Sequence, residues 1–323
     1  MISFGPVPSR RLGKSLGINN IIAPKTCSYS CVYCQTGRTH IKIIKRDIFF
    51  EPEIIYRNVK EHIGLLSSDN YPDYLTVVSN GEPTLDINLG KTIVLLRETG
   101  IPVAVITNAS LLGLNQVREN LCQADWVSLK TDAADDNIWK KINRPDRNLD
   151  FEKHLKGILL FSTEYKGILC TESMIIDELN DSPDHLERLA EIVKNINPRT
   201  AYLSVPTRPP LKKWVKVPDI KKLNTAWQIF RKRGIKTELL TGFEGTETGS
   251  SGNIYEDILN ITAVHPLRES SLLRLLEKNN ADFGIIESLV NQKLIKPVMY
   301  LDKRFFIREY HLPQNKSRNN GNK

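Results

Sequence analysis

Lys25-Thr-Cys-Ser-Tyr-Ser-Cys-Val-Tyr-Cys-Gln35 places Cys27, Cys31 and Cys34 in a C-x3-C-x2-C run. Three thiolates on one short loop can hold three irons of a [4Fe–4S] cube, whereas clusters that only carry electrons usually have all four irons ligated by protein. A missing fourth ligand leaves one iron open to a substrate or cofactor, and so points to chemistry at iron. A structural zinc site wants four ligands, commonly as paired C-x2-C units. No second pair exists here, because Cys122 and Cys170 each stand alone and far away, and His40 does not complete a common finger spacing. Disulfides suit a secreted chain. Five cysteines are an odd number, and no signal-peptide pattern opens the sequence. The expectation is a reducing, cytoplasmic setting.

The 323 residues, 40% hydrophobic and 25% charged, suit a globular protein with one large domain and room for a small one. No apolar run reaches the roughly 20 residues of a membrane span, so no membrane partner is expected. The net charge of +8 hints at an anionic partner such as RNA or a phosphorylated metabolite. Residues 253–311 balance eight basic against eight acidic side chains, and 312–323 carry +3, so most of the excess lies on the larger N-terminal part.

Apolar, β-rich runs recur at Leu16–Ile22, Tyr74–Val78, Val103–Thr107, Trp126–Leu129, Ile168–Ile176 and Ala201–Val205. Helix-like stretches separate them: Glu51–Leu65, Ile87–Thr99, Asn115–Cys122, Asp150–Phe161 and Pro183–Ile196, with Ile220–Arg233 after the last strand. Such alternation predicts a parallel α/β architecture, either doubly wound or curved into a partial barrel. In a barrel, functional groups gather at the C-terminal ends of the strands. The cysteines, Ser79–Thr84, Thr107–Ser110, Lys130–Asp132, Thr171–Ser173 and Pro206–Pro210 all fall at or near such ends. Residues 237–252, rich in Gly, Thr, Ser and Glu, read as a loop. Helices are expected near Tyr255–Val264, Glu269–Asn279 and Phe283–Gln292, then a hairpin of Leu294–Tyr300 and Arg304–Tyr310.

The cysteine run, with aromatic Tyr33 before the third cysteine, resembles the signature of the radical S-adenosylmethionine (SAM) superfamily. Gly81-Glu82-Pro83-Thr84 resembles that family's Gly-Gly-Glu-Pro motif, with Asn80 in place of the first Gly. The resemblance implies a partial (β/α)6 TIM-like barrel, here followed by a small C-terminal winged-helix-like domain. With the three C-terminal helices and hairpin read as winged-helix-like and the polar end read as disordered, the chain divides into a radical SAM core over 1–247, that domain over 248–312 and a tail over 313–323. The resemblance also implies one [4Fe–4S] cluster and SAM as cofactors. The cluster would cleave SAM reductively to a 5′-deoxyadenosyl radical, drawing its electron from an external donor such as flavodoxin or ferredoxin.

Phe4–Gly13 through Cys34, Lys141–Pro145, Thr171–Met174, Pro206–Pro210 and Val264–Pro266 narrow the likeness. They resemble a radical SAM group of unassigned substrate, related to the tRNA wyosine-base synthases and NifB-like proteins. Two spare cysteines cannot supply three ligands to a second cluster, so one cluster is expected.

On this reading Cys27, Cys31 and Cys34 are the metal ligands, and Tyr33, Asn80, Gly81, Glu82, Pro83 and Thr84 form the cofactor turn. Backbone carbonyls of that turn, with Glu82, would accept from SAM's ammonium; the alternative is an ordinary strand-to-helix turn. Asn108 would meet a ribose or carboxylate, or else be a left-handed turn residue. Ser128, Lys130 and Asp132 alternate onto one strand face, where the family places ribose and carboxylate contacts; Lys130 has the alternative of being solvated. Arg10, Arg11, Arg144, Glu172 and Arg208 are candidate substrate contacts. For Arg144 a loop ion pair stands as the alternative, and for the other arginines a solvated surface. Cys170, if it faced the lumen, could donate hydrogen to a radical or be a buried, inert thiol.

A different class of function is a non-catalytic iron–sulfur regulator that reads DNA through the winged helix. Its candidate recognition helix, 282–293, sets Asp282 and Glu287 against one lysine, which suits phosphate contact poorly. A docking or capping module, with RNA or a protein as partner, is the preferred role.

Overall fold

The computed structural model describes residues 2–242, 245–246, 248–250 and 252–309. Strands β1 (Ser3–Ser9) and β2 (Gly13–Ile18) form an antiparallel pair. Short strands β3 (Thr26–Cys27) and β4 (Ile41–Lys42) pair in parallel at the cysteine loop. The chain then alternates through α1 (Pro52–Gly64), β5 (Tyr74–Val77), α2 (Leu89–Arg97), β6 (Val103–Thr107), α3 (Asn115–Leu121) and β7 (Trp126–Lys130). It continues through α4 (Asp136–Asn143), α5 (Phe151–Glu164), β8 (Ile168–Met174), α6 (Pro183–Ile196), β9 (Thr200–Ser204), α7 (Ile220–Lys232) and β10 (Thr237–Leu240). The main sheet has the order β1-β2-β5-β6-β7-β8-β9-β10, parallel from β2 to β10 and curled into a half barrel.

Caps set where several helices begin. Asp135, Asp150, Ser182 and Asp219 each accept from a backbone N–H of the first turn of α4, α5, α6 and α7, and Pro183 starts α6 without needing a donor. Alternation along the strands makes two layers. Val103, Val105, Val127 and Leu129 pack outward among the helices, while Ala104, Trp126, Cys170 and Tyr202 pack together in the lumen. Each fully buried aliphatic side chain is worth about 1.5–3 kcal/mol. A one-residue slip would exchange the two layers, so this burial also fixes register.

The expected strands and helices are present, and further elements lie beside them, among them the two-residue strands β3, β4 and, further on, Leu267–Arg268. Residues 237–252 are not wholly loop: β10 pairs in parallel with β9 and adds a seventh parallel strand. Its four residues run straight into a Gly/Thr-rich stretch that reads as loop. The β1 edge strand and α4 also lie outside the expected set.

C-terminal to this sheet lie α8 (Ile254–Val264), β11 (Leu267–Arg268), α9 (Glu269–Lys278), α10 (Gly284–Asn291), β12 (Ile295–Tyr300) and β13 (Lys303–Arg308). The three strands form an antiparallel sheet in the order β11-β13-β12. Leu301 and Asp302, both with positive φ, make the two-residue turn between β12 and β13. Ile258, Ile261, Leu272, Leu289 and Phe306 bury one core, which Phe4 of β1 enters. The tail 313–323, expected to be disordered, lies outside the described residues.

Candidate active site

Ends of the parallel strands open onto one cavity. It is lined by Cys27, Cys31, Tyr33 and Cys34, by Ser79, Gly81 and Glu82 after β5, and by Thr107 and Asn108 at β6. Lys130 of β7, Glu172 of β8, Ser204 of β9 and Leu240 of β10 continue the wall, with Arg10, Arg11, Lys25, Arg208 and Val264 at its sides.

The cysteine loop is anchored from α4. Val32 N donates to Ile142 O at 2.9 Å, Ser30 N to Asn143 O at 3.0 Å, and Trp139 Nε1 to Tyr29 Oη at 3.0 Å. Each sulfur has an N–H neighbour: Tyr29 N lies 3.4 Å from Cys27 Sγ, Asn143 Nδ2 3.5 Å from Cys31 Sγ, and Lys25 Nζ 2.9 Å from Cys34 Sγ. Burial pushes the Cys27 thiol up to about 12 and that of Cys31 upward too. Burial acts the same way on Cys34, but the charge and hydrogen bond of Lys25 outweigh it and hold that thiol below its ordinary value. A cluster bound here would therefore have to displace protons, most readily at Cys34.

The donor set fits an iron–sulfur cube. Among the described residues no three His, Cys, Asp or Glu side chains converge on a single-ion site. A cube needs three sulfurs spread to meet three irons, all facing one space. Cys27, Cys31 and Cys34 share such a space.

Gly81 crosses β3 closely. It pairs with Thr26, and a Cβ on it would lie 1.8 Å from Thr26 O. Glu82 beside it is buried and satisfied by the chain itself. Oε1 accepts from Thr84 N, Thr84 Oγ1 and Thr107 Oγ1 at 3.1, 2.6 and 2.5 Å, and Oε2 accepts from Asn108 N at 2.8 Å. Burial raises its carboxyl above the ordinary value against these four bonds. Glu82 thus braces the β5 and β6 ends as well as lining the cavity. Asn108 Nδ2 donates to Ser28 Oγ at 2.9 Å and lies 3.6 Å from Cys27 Sγ.

Across the floor, Glu172 takes Lys130 Nζ at 2.6 Å and Ser204 Oγ at 3.0 Å, and pairs with Arg11 through its other oxygen. Burial opposes the charge of Glu172, but Arg11 and Lys130 hold its carboxyl well below the usual range. Lys130 also stands 5.4 Å over the Tyr33 ring.

Not every expected residue reaches this space. Asn80, Pro83 and Thr84 are buried behind the Gly81 turn rather than on the wall. Ser128 lies one strand layer deeper in the lumen, beside Cys170 in the sheet register. Asp132 lies beyond β7 and is turned inward: it accepts from Tyr33 Oη, from Asn143 Nδ2 at 2.7 Å and from Met174 N at 2.8 Å. Arg144 is exposed at the C-terminus of α4 in a left-handed conformation, away from the cavity. Cys170 is buried in the apolar lumen cluster, where burial pushes its thiol up to about 11.

Lys25, Asn143 and Val264 are the functional candidates that the sequence did not single out. For Lys25 the only available signal is a cation two residues before the first cysteine. Val264 comes from α8, and the same module reaches the cysteine loop and barrel elsewhere. Gln35 Nε2 donates to Val264 O at 3.2 Å, Arg208 meets Gln35 Oε1 at 3.3 Å and His265 Nε2 at 3.0 Å, and Tyr300 Oη donates to Pro206 O at 2.7 Å.

A family model described as the radical SAM superfamily matches residues 21–191. A UPF0026 protein of Methanocaldococcus jannaschii is 47% identical over 310 residues, which is 95% of this chain and 96% of that one. A Brachyspira hyodysenteriae protein named GTPase Obg is 33% identical over 89% of this chain but only 44% of its own length, so the name stays with that longer protein. A solved structure of TYW1 with a lysine-pyruvate adduct bound matches with a TM-score of 0.53 at 16% identity, over 69% of this chain and 75% of that one. At that identity the likeness is one of fold. The chain belongs to the radical SAM superfamily and is an enzyme of that class. Among the described residues no helix is long and apolar enough to cross a membrane.

Proposed function

We propose that the protein uses one [4Fe–4S] cluster, held by Cys27, Cys31 and Cys34, with SAM in the same cavity, and acts on an anionic substrate. One observation carries this reading: the three thiols and the ends of the parallel strands line a single space. When bound, the cluster supplies the electron that cleaves SAM to methionine and a 5′-deoxyadenosyl radical. The chain's own groups have distinct parts. Lys25 stabilises negative charge on Cys34 sulfur. Gly81 lets the cofactor turn approach the cysteine strand, and Glu82 holds that turn against β6. Asn108 and Lys130 offer donors to the polar parts of SAM, and Tyr33 flanks Lys130. Arg11 and Lys130 together place two positive charges on the single carboxylate of Glu172, which leaves a cationic floor. Arg10 and Arg208 add positive charge at the sides. That balance supports an anion as substrate, with an external electron donor.

The C-terminal module contributes Val264 to the cavity wall. That supports a capping role over free DNA reading. The test is anaerobic reconstitution with iron and sulfide, then reduction by dithionite with SAM. We expect 5′-deoxyadenosine well above a Cys34→Ala control. Equal traces from both proteins would remove the proposal.

A further inference from the structure

A buried cation stands against the cysteine loop. Lys25 is 4% exposed, and its Nζ donates to Cys34 Sγ at 2.9 Å and to Gly37 O at 2.8 Å. Its own carbonyl accepts from His40 N and Ile41 N, both at 3.1 Å. One residue thus clamps the turn that follows Cys34 through its side chain and its backbone, and the clamp fixes where the ammonium lies. The other two cysteines have neutral donors: Tyr29 N and Asn108 Nδ2 at Cys27, and Asn143 Nδ2 at Cys31. The ligand set is therefore lopsided, with a full positive charge at one sulfur. Burying an ammonium is costly unless an anion meets it. The side chain that Lys25 meets by hydrogen bond, among the described residues, is Cys34.

We infer that Lys25 is a potential-setting residue, whose fixed counter-charge at Cys34 sulfur makes the proposed cluster easier to reduce. The sign follows from electrostatics. Reduction takes one electron from an external donor, the donor is oxidised by that one electron, and the site gains one negative charge. A positive charge held beside it favours the reduced state over the oxidised one. Hydrogen bonds to the sulfurs and the residues behind the ligands are general levers on the potential of such clusters. Burial keeps water and salt from screening this charge. Cys27 and Cys31 receive N–H dipoles only, so most of the bias enters through Cys34. This role requires the proposed cluster but not SAM cleavage.

The experiment is a mediated redox titration of the full-length, anaerobically reconstituted protein, without SAM, followed by electron paramagnetic resonance. Wild type is compared with Lys25→Met, Lys25→Gln and Lys25→Arg, and iron content is measured for each. Both neutral variants should lower the reduced-to-oxidised ratio at a fixed poise by about tenfold or more, equal to about 59 mV for a one-electron couple. Lys25→Arg keeps the charge and should stay near wild type. A residue that only braced the turn would lower iron content and leave the midpoint of the loaded fraction unchanged. A loaded neutral variant with a midpoint at or above that of wild type overturns the role. If neither neutral variant loads, Lys25→Arg decides: loading restored by the second cation supports the counter-charge, and an empty arginine variant shows that shape rather than charge is required. Wild type without a cluster removes both this role and the cluster. The expected shift without 5′-deoxyadenosine formation removes only the radical chemistry; 5′-deoxyadenosine with an unshifted potential removes only the role of Lys25.

Discussion

Gly81 carries a constraint that no side chain can meet. Its φ is +150°, and Thr26 O occupies the place of a Cβ. The neighbouring Glu82 N donates to that same oxygen at 3.2 Å, so the contact also holds the cysteine strand β3 against the Gly81–Glu82 turn. Gly81→Ala must therefore push β3 away or twist the turn. The expected cost is about 3 kcal/mol of stability from overpacking and backbone strain. Urea unfolding measures it, and iron content after reconstitution should fall in parallel. A variant with wild-type stability and full iron would show that the turn can yield. Lys25 works differently, through charge. Its ammonium sits on Cys34 sulfur and Gly37 O at once, and is itself held protonated, against burial, by the cysteine charges.

Helix α4 shows how an element far along the chain shapes the cysteine loop. Asn143, its last residue, donates from one amide nitrogen both to Asp132 and toward Cys31. Replacing it with alanine would deprive a buried carboxylate of a donor and the loop of a tether. Asn143→Ala should lower stability by about 1–3 kcal/mol and make cluster retention sensitive to mild chelator, while the Asn143→Asp variant should not rescue it. Chelator-release kinetics followed by absorbance would check this, and wild-type kinetics would count against the tether. The sequence disclosed part of this arrangement. Apolar patterning was enough for β5 to β9 and most of their helices because each strand is a nearly continuous apolar run and each of those helices buries one face. The cysteine run and the Gly81–Glu82 turn were readable because their chemistry is local. Helix α4 and strand β10 were not, because α4 ends in Asn143-Arg144-Pro145 and β10 runs into a Gly/Thr-rich stretch, and both neighbourhoods read as loop. Asp132 lies past the end of β7, where strand alternation no longer sets the direction of a side chain. Val264 and His265 matter through Gln35 and Arg208, 229 and 57 residues away, and no local pattern encodes such distances.

Closure of the half barrel depends on charge as well as packing. Arg10 donates to Leu239 O and Gly242 O at 3.5 and 3.2 Å, which ties the β1–β2 turn to the end of β10, the other edge of the sheet. Arg11, from the same turn, reaches Glu172, which also takes Lys130. The side chains of Arg11, Lys130 and Glu172 are 15, 17 and 9% exposed, so water screens the three charges weakly. This triad joins β7, β8 and the first hairpin, and it gives the molecule an acid limit. The folded-state carboxyl of Glu172 lies below its unfolded value. Below the ordinary glutamate range the unfolded chain therefore binds the extra proton, and stability rises with pH there. The contribution is full above about pH 5, the upper side of the unfolded glutamate titration, and is lost as pH falls toward the folded value. Glu172→Gln leaves two buried cations facing each other, at an expected cost of about 3–5 kcal/mol near neutral pH. Because the wild type loses this contribution in acid and the variant has none to lose, the gap between them should narrow from pH 7 to pH 4. Urea unfolding at both values measures it. A constant gap would mean that the triad is held by packing rather than by the charge of Glu172.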